Sequence, residues 1–292
     1  RGCAEVCTEV CAQMGTDPES SNPPELRRSA LYLLAEPDPA RKAAGVTQLR
    51  SRFLQSELQL DCHTDLQAEA VLLKLPGRPA KPELVEPTLV KRRKMSSTLG
   101  RASMIAAICH IEFNAINLAL DAIWRFSAMP PAFYADWLQV AQEEAYHFSL
   151  LSQHLQSLGH AYGDFPAHNG LWQLAERTRD DVLARMALVP RTMEARGLDA
   201  TPAIQARLQQ AGDDAAGEIL AIILRDEIGH VAIGNRWYGY LCQQRGLDPL
   251  SSYPALVSQY RAPRLHPPFN LDARRAAGFC DAELAALQNQ NE

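Results

Sequence analysis

The chain has 292 residues, 47% hydrophobic and 22% charged, with a formal net charge of −5. That is the composition of an ordinary soluble globular protein with an ample core; the acidic total argues against a general polyanion binder, and no apolar run approaches the length of about 18 residues that a membrane span needs. Seven cysteines, an odd number scattered along the chain, fit a reducing cytoplasm better than a disulfide framework.

Residues 1–96 read as short helices followed by a proline-rich strap. Arg1 to Met14 lack the apolar stretch of a secretory signal, and the missing initial Met points to residues ahead of Arg1. Cys3, Cys7 and Cys11 share a helix face at i, i+4, i+8; a small buried stripe is preferred to a soft-metal or redox site, because no fourth ligand is near. Pro23-Pro24 opens a helix over about 25–34, Pro39 opens another, and a third is expected around 51–60. From Leu75 to Ser97, Pro76, Pro79, Pro82 and Pro87 exclude a helix. This strap carries Lys91, Arg92, Arg93 and Lys94, a basic cluster that permits a phosphate or RNA contact, although a solvated linker is the preferred reading.

Residues 97–246 carry the chemistry. Glu144-Ala-Tyr-His147 and Glu227-Ile-Gly-His230 place a Glu and a His three residues apart, on one helix face, where both can reach the same metal. Each is preceded by a further glutamate, Glu112 by 32 residues and Glu194 by 33. An antiparallel hairpin brings two positions level when its arms match, at about 1.5 Å per residue. From Glu112 the helical pattern runs to about Ser127 and, after Pro130-Pro131, reaches Glu144 in a comparable length. From Glu194 the pattern breaks near Gly197-Leu198-Asp199, resumes from Ala203 to Gln210, turns at Gly212-Asp213 and descends to Glu227. One Glu from each of two helices and a Glu-x-x-His from each of two others is the set by which ferritin-like bundles hold two iron or manganese ions. Oxygen and nitrogen donors without thiolate fit iron, or a manganese–iron pair.

A single Glu-x-x-His arises readily by chance on a solvated face. Here Ile105, Ile108, Ile116 and Leu120 flank Glu112, and Ile219, Ile223, Val231 and Ile233 flank Glu227, so the helices are buried and their carboxylates need cations. Glu143 and Asp226, each next to a motif, are expected to bond the free ring N–H of His230 and His147 respectively. His110 lies on another face and reads as a satisfied buried histidine; Tyr146 and Tyr238 read as packing residues. Glu176 is the substitute for Glu194, on what the pattern makes the same helix. The loop from Gly159 to Gly170 reads as a lid or a packed connector, and 247–292 as a C-terminal extension packing on the bundle or covering a channel.

His110-Ile-Glu112 with Asn114-Ala-Ile, Glu144-Ala-Tyr-His147-Phe, Tyr162-Gly-Asp-Phe-Pro-Ala-His168, the run from Met186 to Asp199, and Asp226-Glu-Ile-Gly-His230-Val-Ala-Ile-Gly resemble the bacterial ferritin-like "domain of unknown function 455" family, from about Glu25 to Leu287. The resemblance implies an all-α, ferritin-like four-helix bundle with an N-terminal helical extension, a proline-rich strap and a C-terminal tail. It brings no settled activity. A more distant similarity is to ferritin-like di-iron tRNA hydroxylases. The expectation is an O₂-activating oxidoreductase, of hydroxylase or monooxygenase type, on an unidentified substrate. Its alternatives are a tRNA-modifying hydroxylase and an iron-binding ferroxidase or metal-stabilised non-enzymatic protein. The extensions would obstruct a storage shell, and Leu151 stands where a ribonucleotide-reductase subunit has its radical tyrosine.

Overall fold

Proline, capping side chains and apolar periodicity set the helix boundaries in the computed structural model, which describes residues 23–91 and 93–289. The Cys3, Cys7 and Cys11 stripe and Arg92 lie outside the described residues. Among the described residues the protein is all-α, with no strand and two isolated bridges, Glu25 with Gln59 and Leu84 with Ala167. The chain divides into two compact units, Arg1–Ala80 with Ala115–Ser149, and Lys81–Asn114 with Leu150–Glu292.

The first unit opens with α1 (Leu26–Ala35), α2 (Pro39–Leu54) and α3 (Gln67–Ala70). Glu25 caps α1 by accepting from the Arg27 and Arg28 amides, and Asp38 caps α2 from Arg41, with Pro39 in the first turn. The helix expected over 51–60 is absent: α2 continues through Ser51 and stops at Leu54, before Ser56 turns left-handed at φ 60°. The unit also holds the C-terminal part of α4 (Thr98–Arg125) and most of α5 (Pro131–Ser157). Two buried cations tie it together. Arg27 donates to the carbonyls of Ile123, Trp124, Asp61 and Thr64. Lys42 Nζ donates to the carbonyls of Leu34 (3.1 Å) and Gly77 (2.9 Å) and to Asn117 Oδ1. Burial holds the Lys42 ammonium well below its ordinary pKa, with Arg78 acting in the same sense. Tyr134, fully buried, locks the turn between α4 and α5: its hydroxyl donates to the Phe126 carbonyl (2.9 Å) and accepts from the Met129 amide (3.2 Å).

The second unit contains the start of α4, the end of α5, α6 (Gly170–Arg177), α7 (Val182–Leu188), α8 (Ala195–Gln210), α9 (Asp214–Gln244), α10 (Pro249–Gln259), α11 (Leu271–Ala276) and α12 (Asp281–Asn289). Between α7 and α8 the residues Val189–Glu194 form a π turn. Its cause is Pro190, which has no amide to donate and crowds the preceding turn, so the helix widens. Thr192 Oγ1 takes up the Ala187 carbonyl at 2.8 Å, and Gly234 on α9 gives the room: a Cβ there would come within 2.7 Å of the Pro190 ring.

The break expected at Gly197–Pro202 does not occur. Helix α8 runs straight through Pro202, because the carbonyl of Leu198, which Pro202 cannot serve, accepts instead from Asn270 Nδ2 at 3.2 Å. Asn270 caps α11, and Arg274 on that helix forks onto Asp199 at 3.0 and 2.6 Å. The residues after Gly246 therefore pack on α8 and the π turn, with Ala195, Leu198, Val231, Ala277, Phe279 and Leu284 in one apolar cluster.

Helix α4 has the length and apolarity of a membrane span, which the count of apolar runs missed; 72% of its apolar window is buried, as in a core helix. Lys91, Arg93 and Lys94 are exposed, and Arg93 lies over the Phe165 ring and donates to Ser103 Oγ.

Candidate metal centre

Helix α4 extends thirteen residues past Glu112 to Arg125, and α5 takes thirteen from Pro131 to Glu144. Equal arms put the two carboxylates level. The structure brings Glu112, Glu144, His147 and Glu227 together, each offering one ligand atom, with these atoms within 4.8 Å of one another and all four side chains buried. This group could hold a metal ion. Within each Glu-x-x-His the imidazole turns Nδ1 towards its own glutamate: His147 Nδ1 lies 3.4 Å from Glu144 Oε2, and His230 Nδ1 lies 3.5 Å from Glu227 Oε1. Glu227 Oε2 is buried and accepts no hydrogen bond.

Glu194 and His230 are also buried but stand outside that group of four. For Glu194 the arms explain it. Sixteen residues separate it from Gln210, whereas thirteen separate Asp214 from Glu227, an offset of about 4.5 Å along the hairpin. Glu194 closes the π turn, and π turns that interrupt α-helices are frequent at functional sites.

The donor set fits a hard or intermediate cation: three carboxylates and an imidazole, with no thiolate. Cys109, one turn from Glu112, does not alter this. Burial, aided by the Glu112 charge, holds its thiol well above the ordinary range, so it stays protonated. Several carboxylates sharing a buried volume are costly unless a cation neutralises them, and Glu227 Oε2, with no donor of its own, offers a lone pair to one.

His110 is the satisfied buried histidine that its position predicts. Asn114 Nδ2 donates to its Nε2 at 2.9 Å, which makes Nδ1 the protonated nitrogen and Tyr162 Oη, 2.9 Å away, its acceptor. The 159–170 loop is thereby pinned on α4 through Tyr162, which also packs on Phe113. Glu176 is ruled out as a substitute ligand. It lies on α6, a separate helix from Glu194, is exposed, and accepts from Trp172 Nε1 at 3.0 Å. Tyr146 is exposed, contrary to its expected packing role; Tyr238 is buried and donates to the Pro249 carbonyl at 2.8 Å. Glu143 and Asp226 are half-buried beside their motifs, where Gln139 Nε2 donates to Glu143 at 3.0 Å and Arg225 to Asp226 at 2.8 Å.

The pattern of motifs gave no sign of Arg191. Its guanidinium is buried amid the rings of Tyr238, Tyr253 and Phe279, at 4.6, 4.9 and 5.0 Å. The one available signal is its place next to Pro190, three residues before Glu194.

Comparison with known proteins gives the family of the chain and assigns it no reaction. The family model described as "Protein of unknown function (DUF455)" matches residues 35–285. A Haemophilus influenzae protein described as "Uncharacterized protein" is 52% identical over 213 residues, covering 70% of this chain and 74% of its own. No solved structure matches the chain.

Proposed function

We propose, for a chain that belongs to the DUF455 family and inherits no activity from it, that a ferritin-like bundle holds two metal ions and oxidises a substrate with O₂. The residues assigned to the metals are Glu112, Glu144, His147, Glu194, Glu227 and His230, and the metals are two irons or a manganese–iron pair. The observation that carries this reading is the buried convergence of Glu112, Glu144, His147 and Glu227. When bound, such a metal pair supplies the reduction of dioxygen, a reaction no side chain of this chain performs alone.

The protein's own residues supply position and charge. Both imidazoles present Nδ1 to the carboxylate side, which leaves Nε2–H for an outer acceptor. Glu143 is assigned to His230 and Asp226 to His147; such acids fix the tautomer and raise the basicity of the ligating nitrogen. The apolar residues flanking the group, among them Ile116, Phe148 and Val231, are buried and exclude water, which strengthens the attraction of carboxylate to cation.

The test is metal content per chain together with O₂ consumption by the anaerobically reduced protein. About two irons and rapid O₂ uptake are expected. Full metal content in both Glu144→Ala and Glu227→Ala variants would overturn the ligand assignment, and two bound metals inert to O₂ would overturn the oxidase reading.

A further inference from the structure

The residues after Gly246 enclose a cavity of about 410 Å³ against the π turn, a size that suits a small organic ligand. Leu250, Pro254, Val257, Leu265, Phe279 and Leu287 line it. Leu250 is exposed whereas Leu265 and Phe279 are buried, so the apolar lining continues from the surface to the floor. An apolar body seated there removes hydrocarbon surface from water on both sides of the contact.

The polar groups at the cavity are occupied with one another or with their neighbours. Arg274 forks onto Asp199 at 3.0 and 2.6 Å. Arg191 donates one Nη to Glu283 and Nε to Asn235 Oδ1 at 2.7 Å, and its guanidinium lies over the Tyr253 and Phe279 rings. Glu283 also accepts from the Cys280 amide at 2.8 Å, and the Tyr253 hydroxyl pairs with Thr192 Oγ1 at 2.7 Å. Arg264 is exposed and likewise engaged. Among the described residues, no buried side-chain donor or acceptor in this lining stands without a partner. A ligand's acid or ammonium group would give up its water here and would have to open one of these pairs to replace it, which is costly. A neutral apolar body meets no such cost.

The geometry points to a binding site for a neutral, apolar small molecule, its body an alkyl chain or an aromatic hydrocarbon. The molecule lies between α10 and α12, against Val257 and Phe279. None of the proposed metal ligands lines the cavity, so the site stands or falls apart from the metal reading.

The experiment uses the full chain, with the uncharged dye Nile red as the fluorescent probe and decanol, decanoate and decylammonium as competitors. Expected are saturable binding of one dye per chain and displacement by decanol at concentrations at least about tenfold below those of either charged analogue. Val257→Trp fills the cavity and is expected to abolish the dye signal. Ala286→Phe, on α12, serves as the blocking variant if Val257→Trp loses its native near-ultraviolet circular dichroism. Dye binding that survives in a blocking variant with native circular dichroism overturns the site. Displacement by decanoate or decylammonium as effective as that by decanol overturns the neutral occupant, and dye binding that falls as protein concentration rises overturns it in favour of a second copy covering the cavity.

Discussion

Replacing Glu227 with Gln tests whether the four-residue group is built for a cation. Glu112, Glu144 and Glu227 offer oxygens within 4.8 Å of one another. At that separation two unit charges repel by about 3.5 kcal/mol at an effective dielectric of about 20. Glu227 has two such neighbours, so in metal-free protein, with all three ionised, removal of its charge relieves about 7 kcal/mol at that separation and dielectric. Local relaxation reduces this, and a gain of roughly 2–4 kcal/mol is expected from Glu227→Gln, whose shape is almost unchanged. The assay is urea denaturation at pH 7 after chelation, and again with iron(II) in excess under anaerobic conditions. Chelated variant should be more stable than chelated wild type. With metal the order should reverse, since a ligand at about 1,000 times its Kd adds about 4.1 kcal/mol to the protein that binds it. If the chelated variant is no more stable than chelated wild type, the carboxylates do not repel one another and the reasoning fails.

Tyr134→Phe leaves the Phe126 carbonyl and the Met129 amide without their partner, at a cost of about 2–4 kcal/mol by denaturant titration. Burial raises the Tyr134 hydroxyl to about 12, so the folded state holds its proton more tightly than the unfolded chain. That stabilisation is fully present below pH 10 and is lost between 10 and 12; the pH dependence of the wild type over this range should be flatter in the variant, and equal slopes would contradict the assignment. Arg274→Met strips Asp199 of its bidentate partner in a site where Arg274 is almost fully buried, and about 3–5 kcal/mol should be lost. Limited proteolysis should then cut first in the segment after Gly246, whereas an unchanged cleavage pattern would mean that the extension is held elsewhere.

What could be read from the sequence follows the reach of local rules. The hairpin of Glu112 and Glu144 was legible because helix rise and the Pro130-Pro131 turn fix both arms, and the structure gives them equal length. Glu227 and His147 were legible for the same reason, through the three-residue spacing. Gly197 and Pro202 misled: the group that rescues the Leu198 carbonyl is Asn270, 72 residues away, and no local pattern encodes that contact. Arg27 and Lys42 gave no warning of their burial, since nearly all their acceptors are backbone carbonyls, which every residue carries. The cavity escaped notice because its lining comes from three separated stretches, none with a periodicity of its own.

The π turn makes chain length, rather than residue type, the quantity that aims Glu194. An α-helix turns about 100° per residue, and a π turn accommodates one residue more than an α turn in the same place. Removal of a single residue from 189–193 would keep every proposed ligand in the chain and let the turn close as an α turn, so that α7 and α8 hold their mutual orientation while the residues left inside the turn rotate by up to about 100°. Arg191 and Thr192 are fastened to α12 and to Tyr253, so Glu194, which closes the turn, is the residue left to take up the change. Related chains that differ here by one residue in length would thus differ in the direction of this carboxylate even where they match residue for residue elsewhere.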